Sequence, residues 1–459
     1  MKKIAIRIMA LSMTLITLGF TACAPRPGEP TGTPSMGSPS ATTAKPSPSA
    51  STGEATPAPT ASPTEEATPS ATPTPDPTPA EPTNFEKYQS NIACSTGHNV
   101  LIKSKTGKAV TETYRGVFPV EEHGRFAYKF YYSNNIDSSS WAFANYRDMP
   151  TSPFKIESAW VYSSKYYNVC RPEDGVEKQA VTFGGETSRS VEPKECFWSD
   201  EVMLDVPEGR YLVFEWTVTY TKIPGTITAE TYPVFKMDEA GKFSLFPNCS
   251  QAPMPDLFGC DRGKLRVGFL GDSITEGTGT AAYKNEFWVA QIAKQIGKDY
   301  SLWNLGLDSA RVNDVVTGTS FLEKVKQVDV LCLAIGINDV CLDIYSPRVA
   351  RSAQEVFNDI RTVATAAAAE AGCQIIVFSL PPFEFSSQQI ADKWLAVNKM
   401  LKDYAEEKGY DFFDFAACLA SPDAPTVPLY GGHPNGQGCK VVADAFVEAD
   451  LLAKYADKK

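Results

Sequence analysis

The sequence has few basic side chains relative to acidic ones, and few histidines. Its 43 lysines and arginines are outnumbered by 54 aspartates and glutamates, which gives a net charge of -11. A nucleic-acid-binding protein needs a basic face, so we expect no nucleic-acid partner. The 459 residues include three histidines, His98, His123 and His433, far apart in sequence. Since no CxxC pair and no His/Cys cluster at ligand spacing occurs, we expect neither a metal site nor a cofactor.

The N-terminus lacks an apolar run long enough for a membrane helix. Three basic residues precede the apolar residues 8–20, a pattern typical of a signal peptide. The run ends in the letters FTAC, and the cysteine is Cys23. This ending resembles the lipobox of bacterial lipoproteins, in which the cysteine is acylated. We therefore expect residues 1–23 to be a lipoprotein signal peptide and lipobox, and Cys23 to anchor the protein to the cell membrane, outside the cytoplasm. The alternative is an ordinary signal peptide that contains a cysteine.

Residues 24–84 have almost no large apolar side chains. They are mainly proline, threonine, serine, alanine, glycine and glutamate. Such a segment cannot bury a core, so we predict a disordered linker. Its many prolines favour extended conformations, which suit a tether between a lipid anchor and a folded region.

Ten cysteines follow Cys23, and an exported chain can form disulfides. Cys249 and Cys260 are close in sequence and bracket a proline-rich turn, which favours a bridge between them. Cys332 lies inside an apolar, strand-like run, so we predict a buried free thiol there.

Residues 85–263 lack any long segment with helical periodicity. Short runs rich in aromatic and β-branched residues, such as 126–132 and 211–218, alternate with turn residues. Strands at this spacing predict an all-β sandwich domain. We expect the many aromatic side chains of this domain to form its packed core. The alternative is that some of them bind sugar or narrow a substrate cleft.

The pattern changes in residues 264–459, where predicted strands alternate with predicted helices. This alternation predicts a parallel sheet covered by helices on both faces. In such sheets, ligands bind beyond the carboxyl ends of the strands. The predicted strands include 265–270, 328–334, 374–380 and 411–414, and the predicted helices include 288–296, 349–371, 390–408 and 438–452.

Polar clusters occur where these strands end and before the last helix. Ser273 directly follows the first strand, where it would be exposed at a strand-to-helix turn or would simply cap the helix. Together the clusters supply a nucleophile, a base and oxyanion donors, which acyl transfer needs. The clusters are GDSIT at 271–275, NLGLDS at 304–309, GIND at 336–339 and GGHPN at 431–435.

The order and spacing of these four clusters resemble the blocks of the GDSL/SGNH hydrolase superfamily. The resemblance implies a flavodoxin-like, three-layer α/β/α domain with Ser273 as nucleophile and His433 as general base. It also implies an oxyanion site formed by the Asn338 side chain and the backbone N–H groups of Ser273 and Ser309. The alternatives are that Asn338 is a turn residue and His433 a structural loop residue. The stretch 198–209 resembles the β-rich domain that precedes some bacterial SGNH esterases.

Two positions depart from the superfamily pattern. Ser309 stands where the superfamily has a glycine. Its backbone N–H can serve as an oxyanion donor only if a serine can adopt the backbone angles that the loop requires. Tyr430 stands where it has an aspartate, three residues before the histidine, and tyrosine is uncharged at neutral pH. Three outcomes remain open: a backbone carbonyl orients His433 in a Ser-His dyad, another carboxylate such as Asp308 or Asp423 reaches it, or the enzyme is weak or inactive.

The leading hypothesis is a serine esterase that removes short acyl groups, in particular acetyl, from an acylated carbohydrate. One alternative is a lipase or lysophospholipase, since the superfamily includes both. Another is a glycan-binding lipoprotein whose hydrolase fold is catalytically weak.

Overall fold

The computed structural model describes residues 84–100, 107–139, 152–167, 175–222, 227–228, 231–246, 251–317, 319–341 and 351–456. The predicted signal peptide with Cys23, the predicted linker up to residue 83, and Cys249 lie outside the described residues. None of the helices in the described ranges has the length and apolar character that crossing a bilayer requires.

The first part of the described chain consists of antiparallel strands after one short helix, α1 (Asn84–Lys87). The strands are β1 (Tyr88–Ser90), β2 (Asn99–Val100), β3 (Val110–Phe118), β4 (Gly124–Ser133), β5 (Ser138–Ser139), β6 (Phe154–Ser164), β7 (Gln179–Val181), β8 (Arg189–Val191), β9 (Cys196–Trp198), β10 (Val202–Val206), β11 (Tyr211–Tyr220), β12 (Ile227–Thr228), β13 (Val234–Met237), β14 (Phe243–Leu245), β15 (Gln251–Ala252) and β16 (Leu257–Asp261). One sheet has the order β1-β16-β4-β10, with β9 also paired to β4, and the other has the order β14-β13-β3-β11-β6-β7, with β8 paired to β6.

The two sheets pack face to face through aromatic side chains. Phe130 on β4 lies 4.8 Å from Phe214 on β11, and Phe118 on β3 lies 4.4 Å from Phe258 on β16, measured between ring centroids. Each pair joins one sheet to the other, which makes the region a β-sandwich. The aromatic runs seen in the sequence therefore contribute chiefly to this core, and the predicted all-β sandwich is confirmed.

The second part of the described chain contains a parallel sheet and helices. The elements are β17 (Leu265–Gly271), α2 (Ser273–Glu276), α3 (Trp288–Ile296), β18 (Tyr300–Gly306), α4 (Val312–Thr317), α5 (Thr319–Val325), β19 (Val330–Ala334), α6 (Ile337–Cys341), α7 (Ala353–Ala371), β20 (Gln374–Phe378), α8 (Gln388–Lys408), β21 (Asp411–Phe413), α9 (Phe415–Leu419), β22 (Ala420–Ser421), β23 (Ala424–Pro428), α10 (Gly436–Glu448) and α11 (Ala453–Ala456). The parallel sheet has the order β18-β17-β19-β20-β21. Counted along the chain, this is the order 2-1-3-4-5 of flavodoxin-like folds, as predicted.

Helices cover the parallel sheet in two groups. Helices α3 and α10 pack against each other, and Trp288 and Phe446 from them contact Phe269 on β17. Helix α7 packs against α4 and α8 and contacts β19 and β20. It begins with a capping box at Ser352 and ends at Gly372, whose left-handed backbone (φ 68°) terminates the helix. The result is a three-layer α/β/α arrangement.

The β-sandwich and the α/β region share one continuous hydrophobic core. Polar bonds also join them: Ser301 on β18 donates its hydroxyl to the carbonyl of Ser90 at 2.8 Å, and buried Arg262 binds the same carbonyl at 2.9 Å. Arg262 also pairs with Glu121 at 2.9 Å and donates to the carbonyl of Gly297. The junction is therefore a packed interface and not a flexible hinge.

The cysteine predictions have mixed outcomes. Cys332 is a buried free thiol, as predicted. Cys260 is also a buried free thiol, so the predicted bridge to Cys249 is wrong. Cys260 lies on β16 in register with Tyr128 and has no exposed surface, so its thiol packs in the sandwich core.

Candidate active site

Ser273 is the first residue of α2, directly beyond the carboxyl end of β17. The N-cap of this short helix is Asp272, whose side chain accepts a hydrogen bond from the Ile274 amide at 3.0 Å. The alternative role of Ser273, as the helix cap, is therefore excluded. A Cβ atom on Gly271 would lie 1.9 Å from the Thr275 hydroxyl oxygen. A glycine is therefore required for the sharp turn that carries the chain from the strand into the helix.

The structure brings Ser273 and His433 together across 160 positions of sequence. The Ser273 Oγ atom lies 2.9 Å from His433 Nε2, within hydrogen-bond distance. His433 lies in the loop before α10, and its backbone is closely packed: a Cβ atom on Gly279 (φ 95°) would lie 2.6 Å from His433 Cβ. These contacts hold the imidazole at the serine.

Phe383 also contacts the histidine, which sequence reasoning missed. Its ring lies edge-on to the imidazole with centroids 5.4 Å apart. It follows β20 and two prolines, so it lies at the same sheet edge as Ser273. The proline pair indicated only the end of a strand, and no feature of the sequence pairs Phe383 with a residue 50 positions away.

Ser309 adopts the left-handed backbone conformation, with φ 58°. This region favours glycine, and a serine there costs about 1–2 kcal/mol. The loop is nevertheless well tied: the Leu307 amide donates to Gly271 O at 3.3 Å, and the Ala310 amide donates to Leu307 O at 3.0 Å. The backbone shape expected of a glycine is thus present with a serine in its place.

Asn338 lies on α6, two residues beyond Gly336 (φ 132°). Its Nδ2 atom donates to the Ala310 carbonyl at 2.9 Å. A carboxamide nitrogen carries two hydrogens, so the second can donate to an oxyanion. The same side chain therefore connects the third polar cluster to the loop that contains Ser309.

Two buried carboxyl groups adjoin these clusters. Burial raises the pKa of Asp272 to about 7, and Asp339 and Asp308 add to the shift. Burial likewise raises the pKa of Asp339 to about 6, although Arg351 opposes the effect. Asp339 accepts a hydrogen bond from the Val312 amide at 2.9 Å, which fixes the end of the Ser309 loop. Both carboxyl groups therefore hold their protons more strongly than exposed aspartates do.

Tyr430 and the two carboxylates considered as partners of His433, Asp308 and Asp423, occupy different places. Tyr430 is half-buried and packs on the start of α10, where a Cβ atom on Gly438 would lie 3.0 Å from the tyrosine Cβ. Asp423 is exposed in the turn between β22 and β23. Asp308 is half-buried beside Ser309.

Other candidate sites in the described chain are separate from this cluster. No group of three or more histidine, cysteine, aspartate or glutamate residues within the described ranges is placed to hold a metal ion. A cavity of about 450 Å³ lies between the β-sandwich and α3, lined by residues that include Glu121, His123 and Lys294. Neither Ser273 nor His433 lines it.

Comparison with known proteins gives one family match. Residues 269–441 match the model of the GDSL-like lipase/acylhydrolase family. No curated protein matches the sequence.

Several solved structures are similar to part of the chain. A member of the lipolytic protein G-D-S-L family from Veillonella parvula is 20% identical, with 40% of this chain and 97% of that chain covered and a TM-score of 0.32. The lipase/acylhydrolase from Enterococcus faecalis is 18% identical, with 40% and 94% covered and a TM-score of 0.33. A catalytic mutant of an acetylxylan esterase from Geobacillus stearothermophilus is 20% identical, with 40% and 93% covered and a TM-score of 0.32.

Proposed function

We propose that the protein is an ester hydrolase that removes short acyl groups, in particular acetyl, from carbohydrate, and the match of residues 269–441 to the model of the GDSL-like lipase/acylhydrolase family supports this proposal. The observation that carries the proposed mechanism is the 2.9 Å contact between Ser273 Oγ and His433 Nε2. It supplies a nucleophile and a base at bonding distance, at the sheet edge where ligands bind in such folds.

In the proposed reaction, His433 Nε2 takes the hydroxyl proton while Ser273 Oγ bonds to the ester carbonyl carbon. The carbonyl oxygen becomes an oxyanion, which accepts hydrogen bonds from the amides of Ser273 and Ser309 and from Asn338 Nδ2. The protonated His433 then gives its proton to the leaving alcohol, which leaves an acyl-serine. Water, deprotonated by His433, then attacks the carbonyl carbon of this ester, and the protonated His433 returns the proton to Ser273 Oγ as the carboxylic acid leaves.

The proposed preference for short acyl groups rests on the Phe383 ring, which lies edge-on to the imidazole of His433 with centroids 5.4 Å apart. A carbohydrate substrate is favoured by the predicted lipidation of Cys23 and the predicted tether, because an anchored enzyme outside the cytoplasm meets acylated glycans. We propose the membrane attachment on the same grounds. Incorporation of a labelled fatty acid into the wild type, and its loss in Cys23→Ala, would test it.

The activity is tested by release of acetate from acetylated xylan and by hydrolysis of nitrophenyl esters of increasing chain length. We expect the wild type to hydrolyse the acetate ester fastest. In Ser273→Ala or His433→Ala the rate of this hydrolysis should fall by about 10³-fold or more, because the two residues act as one unit. Ser199→Ala, a buried serine of the β-sandwich, is the control. A preference for long chains would favour a lipase or lysophospholipase instead.

Tyr430, in the place of the usual aspartate, favours a catalytically weak glycan-binding protein as the second candidate. A fluorophosphonate probe separates the two, because it reacts only with an activated serine. Labelling that is lost in Ser273→Ala supports the esterase, whereas an unlabelled wild type supports the weak hydrolase.

A further inference from the structure

The loop that contains Ser309 contacts the β-sandwich region at the point where the loop leaves β18. Ser95, a buried residue of the sandwich region, donates its hydroxyl to the carbonyl of Gly306, the last residue of β18. Two residues later, Gly97 packs on Leu307: a Cβ atom there would lie 3.4 Å from a Leu307 methyl carbon. The sandwich therefore supports the loop from the point where it leaves the sheet.

The bond from Ser95 continues into the nucleophile helix through a short chain of hydrogen bonds. The Gly306 amide donates to Asn304 Oδ1 at 2.8 Å, and Asn304 Nδ2 donates to the Thr275 carbonyl at 3.0 Å. A Cβ atom on Gly306 would lie 2.3 Å from the Glu276 amide nitrogen. Gly306 is thus confined between the sandwich on one side and the helix of Ser273 on the other.

A second anchor holds the chain beyond the loop. Lys324 on α5 is buried and pairs with two carboxylates of the sandwich region, Asp137 and, at 2.8 Å, Asp256. Asp256 in turn accepts hydrogen bonds at 2.6 Å from the amide and hydroxyl of Ser133. The Ser309 loop and α4 therefore lie between two points that are both fixed to the sandwich.

We infer that the β-sandwich contributes to catalysis through Ser95. This serine is a positioning residue: by binding the Gly306 carbonyl, it fixes the position of the Ser309 loop relative to Ser273. This inference rests on the proposed function. The Ser309 amide can stabilise an oxyanion only if it lies within about 3 Å of that oxygen, and displacement by about 1 Å can cost 10²-fold in rate. Loss of the Ser95 bond frees the strand end that sets this distance.

The test compares Ser95→Ala with Ser301→Ala in the full chain. Ser301 is the matched control because its buried hydroxyl also joins β18 to the sandwich through a backbone carbonyl. It lies near the start of β18, whereas Ser95 binds the end of this strand. We expect both variants to lose similar stability in urea. With nitrophenyl acetate, we expect Ser95→Ala to lose about 10- to 10²-fold in kcat with little change in KM, and Ser301→Ala to keep the wild-type kcat.

Ser95→Cys provides a second variant that fills the same space with a much weaker donor, and we expect it to lose kcat as Ser95→Ala does. Equal kcat values for the Ser95 and Ser301 variants, with an active wild type and an inactive Ser273→Ala, would overturn the inference and leave the proposed function intact. If the wild type and Ser273→Ala hydrolysed the ester equally, the proposed function itself would fail.

Discussion

The Asn338 carboxamide combines an observed contact with a proposed role. One N–H donates to the Ala310 carbonyl, and the proposed mechanism assigns the other to the oxyanion. The sequence predicts the proposed role from the superfamily resemblance, but not the contact. The hydrogen bond to Ala310 depends on how two loops meet in space, and neither loop contains a local signal for it.

We expect Asn338→Ala to lower kcat by about 10²–10³-fold, because a donor to the transition state is lost. KM should change less, since the ground-state carbonyl carries little charge. Steady-state hydrolysis of nitrophenyl acetate measures both constants. Asn91→Ala is the control, because Asn91 also donates to a backbone carbonyl, that of Glu122, but within the sandwich region. A kcat within twofold of wild type for Asn338→Ala would contradict the assigned role.

Asp272 makes stability depend on pH in a definite direction. Its pKa in the folded state is about 7, above the value near 4 of an unfolded chain. Between these values the folded state holds more protons than the unfolded state, so the free energy of unfolding falls as pH rises from 4 to 7. Asp272→Asn keeps an oxygen for the Ile274 amide and removes the titration.

We therefore expect the wild type to lose more stability than Asp272→Asn between pH 5 and pH 7.5, by up to a few kcal/mol. Urea unfolding at the two pH values gives the difference. Asp444→Asn is the control, because the lowered pKa of Asp444, bonded to Lys440 on the surface, gives no loss of stability in this range. Parallel slopes for wild type and Asp272→Asn would show that Asp272 does not titrate in the fold.

At the scale of the elements, the sequence predicts more of the strands and helices than of the connections between them. Helix 390–408 appears as α8 (Gln388–Lys408), and strand 265–270 as β17 (Leu265–Gly271), because apolar periodicity encodes a buried face. The strand order and the polar clusters follow from the same pattern and the superfamily resemblance. Phe383 and Ser95 could not be found in this way, because contacts between distant loops leave no periodic pattern.

Substitutions of Ser309 can separate the contribution of its backbone amide from that of its side-chain hydroxyl. If only the amide of Ser309 contributes, Ser309→Gly should keep kcat within about twofold and relieve part of the strain at φ 58°. Ser309→Val should destabilise the loop and lower kcat, because a β-branched residue fits this conformation poorly. Kinetics and thermal unfolding of the two variants measure the effects. A large loss of kcat in Ser309→Gly would instead assign a role to the hydroxyl.

At the scale of the whole molecule, the buried ion cluster at Lys324 joins the sandwich to the hydrolase region. Lys324→Met would leave Asp137 and Asp256 buried without their cation, and removing one partner of a buried pair typically costs about 3–5 kcal/mol. We expect a loss of this size in urea unfolding. Lys326→Met is the control, since its partners Glu323 and Glu370 are exposed and should contribute less than about 1 kcal/mol. Similar losses in both variants would contradict the structural role of the cluster.

Strand β18 forms one border of the parallel sheet, and the sandwich covers it: β1 lies beside it, and the Phe85 ring stacks on Trp303 with centroids 6.0 Å apart. A chain shortened to the hydrolase region alone would present this border, with its unpaired backbone groups and apolar side chains, to other molecules. Such borders readily pair with strands of neighbouring chains. A shortened form of this protein should therefore keep residues 84–263, because their removal would favour self-association of the protein during production.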